Sequence, residues 1–220
     1  GNEMQTTAKN ISDVPAISRF LSYCRVRTVP SKTVMIHAGD LPDVLYYIVD
    51  GSVEVMIEDE DGNEMVLAYL NKGPVFGERG LFYEQPTRSA WVRTRTKCEI
   101  AEMTYPRFRQ IASESPGLVF ELATQLATRL DRTNRKLGDL AFVDVTGRVA
   151  HAIMDLCNEP DAMTHPDGMQ IKVSRQELSR LVGCSREMAG RVLKVLEEQG
   201  LVSASGKTIV VYGARPNRKI

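Results

Sequence analysis

The strongest constraint on the fold is a run of short strand-like segments between Val34 and Met103. Apolar and polar residues alternate within these segments and glycines separate them, which is typical of a small antiparallel barrel or roll. In chain order the segments read VLYYIV, SVEVMIE, MVLAYL, SAWVRT and CEIAEM. The sharpest predicted turn contains Asp61-Gly62, because these residue types tolerate the positive φ angles of a tight hairpin.

A long helix is predicted after the roll, from about Gly117 to Leu137. Its apolar stripe recurs at alternating intervals of four and three residues, as in a coiled-coil seam. The stripe consists of Val119, Ala123, Leu126, Leu130, Thr133 and Leu137. Either a helix of a second subunit or the chain's own roll could cover this stripe, and the spacing does not choose between them.

The other positions of this helix and its end are interpreted as follows. Gly138-Asp139 is expected to end the helix, and residues 140–144 are expected to form a hinge before a further helical segment. The basic residues along the helix are interpreted as a solvated face: Arg129, Arg132, Arg135 and Lys136.

The stretch SRQELSRLVGCSREMAGRVLKVLEEQG, Ser174–Gly200, predicts two short helices around a tight turn. Ser174 and Glu177 form a capping box for the first helix, and Ser185 is suited to cap the second. The segment LVSASGKTIVVY then predicts a β-hairpin with Ser205-Gly206 at its tip. Together these features predict a winged helix-turn-helix. The expected buried stripe of the second helix is Met188, Val192, Val195 and Leu196.

Charged side chains on the opposite face of the second helix are candidate base readers. Arginine pairs bidentately with guanine in the major groove, and a carboxylate accepts a hydrogen bond from cytosine. Arg186, Glu187 and Arg191 have these side chains, while Lys207 and Arg175 are candidate phosphate contacts. Charge alone would favour an ordinary salt-bridged surface helix, but the preceding capped helix, turn and hairpin reverse this and favour DNA binding.

The segment FGERGLFYEQPTRSAWV, Phe76–Val92, is the candidate ligand site of the roll. Gly77 allows the backbone to approach an anion, and a short helical turn after it would direct N–H groups at that anion. Arg88-Ser89 would complete a phosphate site, whereas Glu78 suits a ribose hydroxyl. In isolation, a simpler interpretation is that the glycines are turn residues and Arg88 a surface charge.

Composition excludes several other classes of protein. The 220 residues include 28 basic and 28 acidic residues, so any attraction to nucleic acid must be local. Four scattered cysteines and three scattered histidines give no metal-ligand spacing, so neither a metal site nor a metal-dependent hydrolase is expected. No membrane-spanning run or secretory signal is evident, and a cytoplasmic protein without catalytic residues is expected.

From about Ser18 to Arg215 the chain resembles the cyclic AMP receptor protein (catabolite activator) family, and it is similar to the family's virulence factor regulator branch. The segments that carry the resemblance are LYYIVDGSVEV, FGERGLF, RSAWVR, LAFVDVTGRVA, EPDAMTHPDGMQIKVSRQE, VGCSREMAGRVLK and GKTIVVYG. The implied fold is α+β. It comprises a cyclic-nucleotide-binding β-roll (14–116), a dimerisation helix (117–139), a hinge (140–144) and a C-terminal winged helix-turn-helix (145–215).

The resemblance implies a transcription regulator without enzymatic activity. A homodimer would bind 3',5'-cyclic AMP, then double-stranded DNA at TGTGA followed by its inverted repeat, and would contact RNA polymerase. The implied nucleotide contacts are Gly77, Glu78, Arg88, Ser89, Thr133 and, across the dimer, Asn134. The implied DNA contacts are Arg175, Ser185, Arg186, Glu187, Arg191 and Lys207. The implied polymerase contacts are Thr164, His165 and Gly168 in one loop, and Arg25, Arg27 and Arg107 in a basic patch.

Two departures from the family pattern leave the signal open. Asn134 stands where close relatives have serine or threonine, and Arg79 stands where they have an apolar residue. The alternative function is therefore the same DNA reader gated by another nucleotide, by a cyclic dinucleotide, or by no ligand. A cyclic nucleotide phosphodiesterase is disfavoured, because the metal-binding histidine and aspartate clusters it would need are missing.

Overall fold

The computed structural model describes residues 15–41, 43–83 and 90–216. They form two compact units, which are described separately. The first unit runs to Ile57 and resumes over Leu67–Arg132, and the second comprises Glu58–Val66 and the chain from Thr133 onward. Both units contain helices and strands, so the fold is α+β as predicted.

The helices are α1 (Pro15–Ser22), α2 (Tyr105–Glu114), α3 (Pro116–Phe142), α4 (Val145–Cys157), α5 (Arg175–Val182) and α6 (Arg186–Glu198). The strands up to α2 are β1 (Arg25–Val29), β2 (Val34–Ile36), β3 (Val44–Asp50), β4 (Val53–Glu58), β5 (Glu64–Leu70), β6 (Val75–Phe76), β7 (Trp91–Thr94) and β8 (Cys98–Thr104). The later strands are β9 (Met163–His165), β10 (Gly168–Lys172), β11 (Val202–Ser205) and β12 (Thr208–Tyr212).

The roll consists of two antiparallel sheets with the strand orders β1-β8-β3-β6 and β2-β7-β4-β5. Alternate residues of each strand point to one face, so the apolar half of each strand can enter the core between the sheets. Ile48, Val53 and Ile100 are completely buried there. The predicted segments correspond to β3, β4, β5, β7 and β8, which confirms the predicted positions of these strands.

A second core lies between the outer face of the first sheet and the helices around it. Phe20 of α1, Phe108 of α2 and Leu118 of α3 pack there against Leu45 and Tyr47 of β3. Phe20 makes edge contacts with both aromatic rings, at centroid distances of 6.3 Å to Tyr47 and 6.1 Å to Phe108. This core fixes the start of α3 against the roll.

The β4–β5 turn differs from the predicted tight hairpin. Gly62 has a φ of +81°, but Asp61 is not in the positive-φ region. The loop closes through the Asp59 N–H, which donates to the Asn63 carbonyl over 3.0 Å. The Asp59 carboxylate also accepts from the backbone N–H groups of Asp61 and Asn63, so this side chain organises a longer loop with a single left-handed residue.

The dimer-helix prediction was wrong about where the helix ends. α3 continues through Gly138-Asp139 to Phe142, and Val143 N–H still donates to the Asp139 carbonyl over 2.9 Å. A methyl group at Gly138 would meet nothing within 4 Å, so this glycine is a tolerated surface position of the helix. The non-helical residues are Val143 and Asp144, and the Asp144 side chain caps α4 by accepting from Gly147 N–H over 2.8 Å.

The coiled-coil stripe of α3 is largely uncovered. Leu118 and Leu122 are the buried residues of this helix, whereas Val119, Leu130 and Leu137 of the stripe are 45%, 60% and 63% exposed. Leu126 is the one partly buried residue of the stripe, and it packs against the second core. Within the described residues, the alternative that the roll itself covers this stripe is therefore not supported.

The second unit carries the predicted winged helix-turn-helix, with an antiparallel sheet in the order β11-β12-β10-β9. Ser174 and Ser185 cap α5 and α6 through side-chain oxygens that accept from Glu177 and Met188 N–H groups. Gly183 ends α5 with a φ of +77°. Val195 was predicted to be buried but is 41% exposed, because the buried face of α6 is centred on Ala189, Val192, Leu193 and Leu196. Among the described helices, none has the length and apolar composition needed to cross a membrane.

Candidate functional site

The β6 segment, defined as Gly73–Leu81, contains the predicted Gly77 and Glu78. Its short strand lies at the edge of its sheet, with β3 on one side only. Gly77 has a φ of +79°, a conformation that other residues rarely adopt, and it turns the chain into a 3₁₀ helix at Arg79–Leu81. Glu78 lies just before this turn, so the predicted order of glycine, acidic residue and short helical turn is observed.

The two edges of this segment are bonded to different elements. On the inner edge, Gly73 N–H donates to the Ile48 carbonyl over 2.9 Å, and Ile48 N–H donates to the Pro74 carbonyl over 3.1 Å. On the outer edge, Val75 N–H donates to Oε1 of Gln125 over 2.7 Å. Nε2 of Gln125 donates to the Gly73 carbonyl over 3.2 Å. Side chains of α3 thus occupy the edge where a neighbouring strand would otherwise pair.

Arg129 lies one helical turn after Gln125 and reaches the same segment. Its guanidinium donates to the Val75 carbonyl and to Oε1 of Gln125, and its Nη1 lies 3.9 Å from Oε2 of Glu78. Burial lowers the pKa of Arg129, and the negative charge of Glu78 opposes that shift. The guanidinium still remains charged, so it partly neutralises Glu78.

The solvated-face interpretation of the α3 cations was therefore wrong for Arg129. It was also wrong for Lys136, which is partly buried and donates to the Val66 carbonyl within the second unit. Burial lowers the pKa of Lys136. Arg132 and Arg135 are exposed, as predicted.

Side chains of α2 hold the end of the β6 segment. The Tyr105 hydroxyl donates to the Gly77 carbonyl. A methyl group at Gly80 would lie 2.1 Å from the Tyr105 ring, so this ring requires glycine there. Nη2 of Arg109 lies 3.5 Å from the carbonyl oxygens of Gly80 and Leu81. Two side chains of α2, Tyr105 and Arg109, thus pack against the 3₁₀ turn and hydrogen-bond to the carbonyl groups around it.

The remaining predicted nucleotide contacts are Arg88, Ser89, Thr133 and Asn134. Arg88 and Ser89 lie outside the residues that the structure describes. Thr133 and Asn134 are exposed residues of α3 and belong to the second unit. Arg79 stacks over the Tyr83 ring, with its guanidinium carbon 5.0 Å from the ring centroid.

The predicted base readers lie together at the exposed start of α6. Arg186, Glu187 and Arg191 are all exposed. Within the described part of the chain, none of these three side chains forms an ion pair or a hydrogen bond, so a salt-bridged surface helix does not describe them. Arg175 passes close to α6, since a methyl group at Gly190 would lie 3.3 Å from its Cδ.

The predicted phosphate contacts Lys207 and Ser185 differ in whether their side chains already form hydrogen bonds within the protein. Lys207 is exposed in the turn between β11 and β12, where the wing prediction put it. Ser185 is also exposed, but its hydroxyl oxygen already accepts from Met188 N–H over 3.1 Å. Its hydroxyl proton is left for an acceptor outside the helix.

The predicted polymerase loop corresponds to the β9–β10 hairpin, with Thr164 and His165 in β9 and Gly168 at the start of β10. Thr164 is exposed, and Nδ1 of His165 accepts from Asp167 N–H over 3.1 Å. Gly168 is buried, and a methyl group there would lie 1.9 Å from the Val211 carbonyl oxygen. Gly168 therefore has a packing role that only glycine can fill, whereas Thr164 offers a surface.

The predicted basic patch lies on the first unit. Arg25 and Arg27 are exposed on β1, and Arg27 pairs with Glu102 over 3.3 Å. Arg107 of α2 is exposed and stacks over the Tyr23 ring at 4.8 Å. Because Tyr23 lies just before β1, this contact brings Arg107 near the start of the strand that carries the other two arginines.

Gln125, Arg129, Tyr105 and Arg109 are the residues at the candidate site that sequence reasoning missed. The spacing of four between Gln125 and Arg129 was available, since it puts two long polar side chains on one helical face next to Leu122. Nothing in the sequence identified an edge strand as their partner.

Comparison with known proteins assigns both units. A cyclic nucleotide-binding domain matches residues 26–115, and the domain described as "Bacterial regulatory proteins, crp family" matches residues 171–202. The chain is 56% identical over 201 residues to the cAMP-activated global transcriptional regulator CRP of Salmonella typhimurium, covering 91% of this chain and 96% of that protein. It is 54% identical over 202 residues to the cAMP-activated global transcriptional regulator Vfr of Pseudomonas aeruginosa, covering 90% and 94%.

Solved structures agree with this assignment. The c-di-GMP responsive global regulator CLP of Xanthomonas campestris superposes with a TM-score of 0.85 at 48% sequence identity, covering 90% of this chain and 98% of that one. The matched domains, the identity over nearly the whole chain and the shared architecture lead to one conclusion: this chain belongs to the crp family of bacterial regulatory proteins.

Proposed function

We propose that this protein is a cyclic-AMP-responsive transcription regulator that binds a TGTGA-type palindrome as a dimer. The carrying observation is that a cyclic nucleotide-binding domain and an exposed, capped helix with unpaired base-reading side chains occur in one chain. The relatives named above as cAMP-activated global regulators support cyclic AMP as the signal. These relatives are named as regulators, and the role proposed for this chain is to bind ligand and DNA without catalysing a reaction. Its proposed location is the cytoplasm, because the bacterial chromosome lies there.

The β6 segment suits the charge pattern of a cyclic nucleotide. Gly77 leaves the backbone open to an anion, and the N–H groups of the following 3₁₀ turn favour negative charge. The Glu78 carboxylate is an acceptor for a ribose hydroxyl, and Arg129 offsets its charge, which would otherwise repel the phosphate. Arg88 and Ser89 would complete the phosphate site, and Thr133 and Asn134 would meet the base.

The second unit suits a duplex. In the proposed complex α6 enters the major groove, where Arg186, Glu187 and Arg191 meet base edges. Arg175, Ser185 and Lys207 then contact phosphates, which fix the register without reading sequence. A chain with no net charge gains little long-range attraction to DNA, so this local face must supply the affinity.

A second copy of the chain is the proposed cover for the stripe of α3. Val119, Leu130 and Leu137 are exposed apolar residues at coiled-coil spacing. A dimer joined there would pair two reading helices with the two halves of a palindrome. The residues 14–116, 117–139, 140–144 and 145–215 would then act as sensor, dimer helix, hinge and reader.

RNA polymerase is the proposed further partner. Thr164 and His165 of β9 would form one contact, for which Gly168 at the start of β10 shapes the backbone. Arg25, Arg27 and Arg107 would form a second, basic contact. Substitutions in either set should reduce transcription activation while leaving DNA binding unchanged.

Calorimetric titration followed by DNA binding tests the proposed function. Cyclic AMP should bind the dimer, and the complex should then bind a TGTGA palindrome in preference to a scrambled duplex. Cyclic GMP and cyclic di-GMP serve as comparison ligands in the same assays. The proposal fails if cyclic AMP neither binds nor increases the affinity for the palindrome.

A second candidate signal is a cyclic dinucleotide, because the similar regulator CLP is named as c-di-GMP responsive. It is favoured if cyclic di-GMP alone changes DNA affinity. Asn134 offers a check on nucleotide choice, since its carboxamide can accept from an adenine amino group or donate to a guanine carbonyl. Asn134→Ser should keep cyclic AMP affinity within about 1 kcal/mol and widen the preference for cyclic AMP over cyclic GMP.

A further inference from the structure

Gln125 is distinguished by the way its carboxamide bonds to the β6 segment. One side chain both accepts from Val75 N–H, over 2.7 Å, and donates to the Gly73 carbonyl, over 3.2 Å. These groups are 50 and 52 residues away in sequence. Val75 begins β6, which lies at the edge of its sheet, and Gly73 lies just before this strand. The carboxamide thus replaces the backbone of a missing neighbouring strand.

The register of β6 explains why these groups need a partner from α3. Val75 lies opposite Tyr47 of β3. Its N–H and carbonyl bond to Gln125 and Arg129 of α3, so they face away from β3. The carboxamide is also partly buried. A buried N–H or carbonyl without a partner is costly, so loss of Gln125 would force this stretch to move toward water or another donor.

Few side chains can make both bonds. Glutamate accepts but has no proton to donate at neutral pH, lysine donates but cannot accept, and leucine does neither. Asparagine has the right groups but is one methylene shorter than glutamine. The position therefore selects glutamine for its paired donor and acceptor at this length.

We propose that Gln125 is a positioning residue for nucleotide binding, which fixes Gly77 and Glu78 by holding the outer edge of the strand that leads into them. This inference rests on the proposed function and deepens it. Val75 lies two residues before Gly77, so a shift at Val75 is passed along a short stretch of chain to Glu78. α2 holds the same loop from its other end, through Tyr105 and the Gly77 carbonyl. Gln125 and Tyr105 together hold the backbone from Gly73 to Gly77, directly before Glu78.

Positioning has a consequence that general stabilisation does not. If Glu78 meets a ribose hydroxyl, a displaced Glu78 loses that bond while the phosphate contacts remain. Discrimination between cyclic AMP and 2'-deoxy cyclic AMP then falls. A residue that only stabilised the fold would change the affinity for both nucleotides by the same factor.

The experiment uses the full chain and two variants, Gln125→Leu and Gln125→Glu. Gln125→Leu removes both bonds, and Gln125→Glu keeps the acceptor for Val75 N–H while losing the donor to Gly73. Gln110→Leu is the matched control, because Gln110 is an exposed glutamine on α2 of the same unit. Calorimetry measures the dissociation constants of cyclic AMP and 2'-deoxy cyclic AMP, and thermal unfolding without ligand confirms that each variant is folded.

We expect Gln125→Leu to weaken cyclic AMP binding about tenfold, since it removes both bonds to the β6 segment and the oxygen that accepts from Arg129. The dissociation constant of 2'-deoxy cyclic AMP divided by that of cyclic AMP should fall about fivefold, because the ribose contact is misaligned. Gln125→Glu should show a smaller loss of cyclic AMP affinity and a smaller fall in this ratio. Gln110→Leu should match the wild type in both measurements. If Gln125→Leu does not fold, the ratio measured for Gln125→Glu decides.

An unchanged ratio in the folded Gln125 variants would overturn the inference while leaving the proposed function intact. A uniform loss of affinity for both nucleotides would likewise assign Gln125 a purely structural role. Failure of the wild-type protein to bind cyclic AMP would instead overturn the proposed function.

Discussion

Replacement of Arg129 by methionine tests the electrostatic basis of the candidate nucleotide site. Methionine keeps much of the aliphatic length of arginine and removes the charge and the donors. It leaves the Val75 carbonyl without one of its partners and the Glu78 carboxylate without its nearby cation. We expect weaker binding of cyclic AMP, because the phosphate would then approach an uncompensated negative charge.

The magnitude follows from the geometry. Unit charges 3.9 Å apart interact by about 4 kcal/mol at an effective dielectric constant of about 20. The Arg129 and Glu78 side chains are 22% and 20% exposed, so solvent screens part of this energy and desolvation offsets more of it. A net effect of about 2 kcal/mol is expected, within the range for hydrogen bonds to charged groups, and it corresponds to a roughly 30-fold higher dissociation constant.

The assay is calorimetric titration of cyclic AMP at constant salt, with Arg132→Met as the matched control. Arg132 is an exposed arginine on the same helix. The Arg132→Met variant should therefore bind cyclic AMP with the affinity of the wild type. Arg129→Lys should give an intermediate affinity, because it keeps the charge but loses the planar fork of donors. Equal affinities for the Arg129→Met and Arg132→Met variants would refute the reasoning.

Three further predictions concern other parts of the chain. Gly168→Ala should destabilise the second unit by about 3 kcal/mol in urea unfolding, because its methyl group would lie 1.9 Å from the Val211 carbonyl oxygen; an unchanged midpoint would contradict this packing. Arg186→Ala should cost about 1–3 kcal/mol and relax selectivity at one base pair, whereas Lys207→Ala should weaken all sequences alike; a randomised site library separates these outcomes. Burial, with a smaller contribution from Glu102, raises the pKa of Cys24 to about 12. Its alkylation at pH 8 should therefore be about a thousandfold slower than that of a free thiol, as followed by mass spectrometry.

The long strands of the roll could be predicted because each is a short, mainly apolar run that turn residues separate from the next. β3 is an almost continuous apolar run because both of its faces are covered: Ile48 lies in the core between the sheets, and Leu45 and Tyr47 lie in the second core. β4 mixes polar and apolar residues, and its Glu54 is buried in an ion pair with Arg93. β1 lacks that pattern, since only Val29 of its five residues is buried. β6 has two residues, both buried, and is too short for any period to appear.

The end of α3 could not be predicted, because glycine is a helix stop only when the chain turns there. Gly138 lies on an open surface and the helix passes through it, while the break occurs where the Asp144 side chain caps α4. The winged helix-turn-helix was predictable for the opposite reason. Ser174 and Ser185 cap the first turns of α5 and α6, and Gly183 takes the positive φ angle at the end of α5. These requirements involve only residues close in sequence, so the sequence pattern reveals them.

The candidate site was predictable where one short segment forms it and not where distant segments meet. Gly77 and Glu78 were found from the local order of residues. Arg129 was taken for a solvated cation, because its burial depends on which strand edge α3 covers. No local pattern distinguishes a covered arginine from an exposed one on the same helix.

The edge position of β6 also determines where the sensor can be cut from the rest of the chain. A fragment ending at Ser115, where the match to the cyclic nucleotide-binding domain ends, would lack both Gln125 and Arg129. It would expose the outer edge of β6. An exposed strand edge is a template for pairing with other chains, so such a fragment should aggregate. A fragment that extends through Arg132 retains the side chains that cover this edge. The first half of α3 in this sense protects the roll against self-association through β6, in addition to its proposed role as a surface for a second subunit.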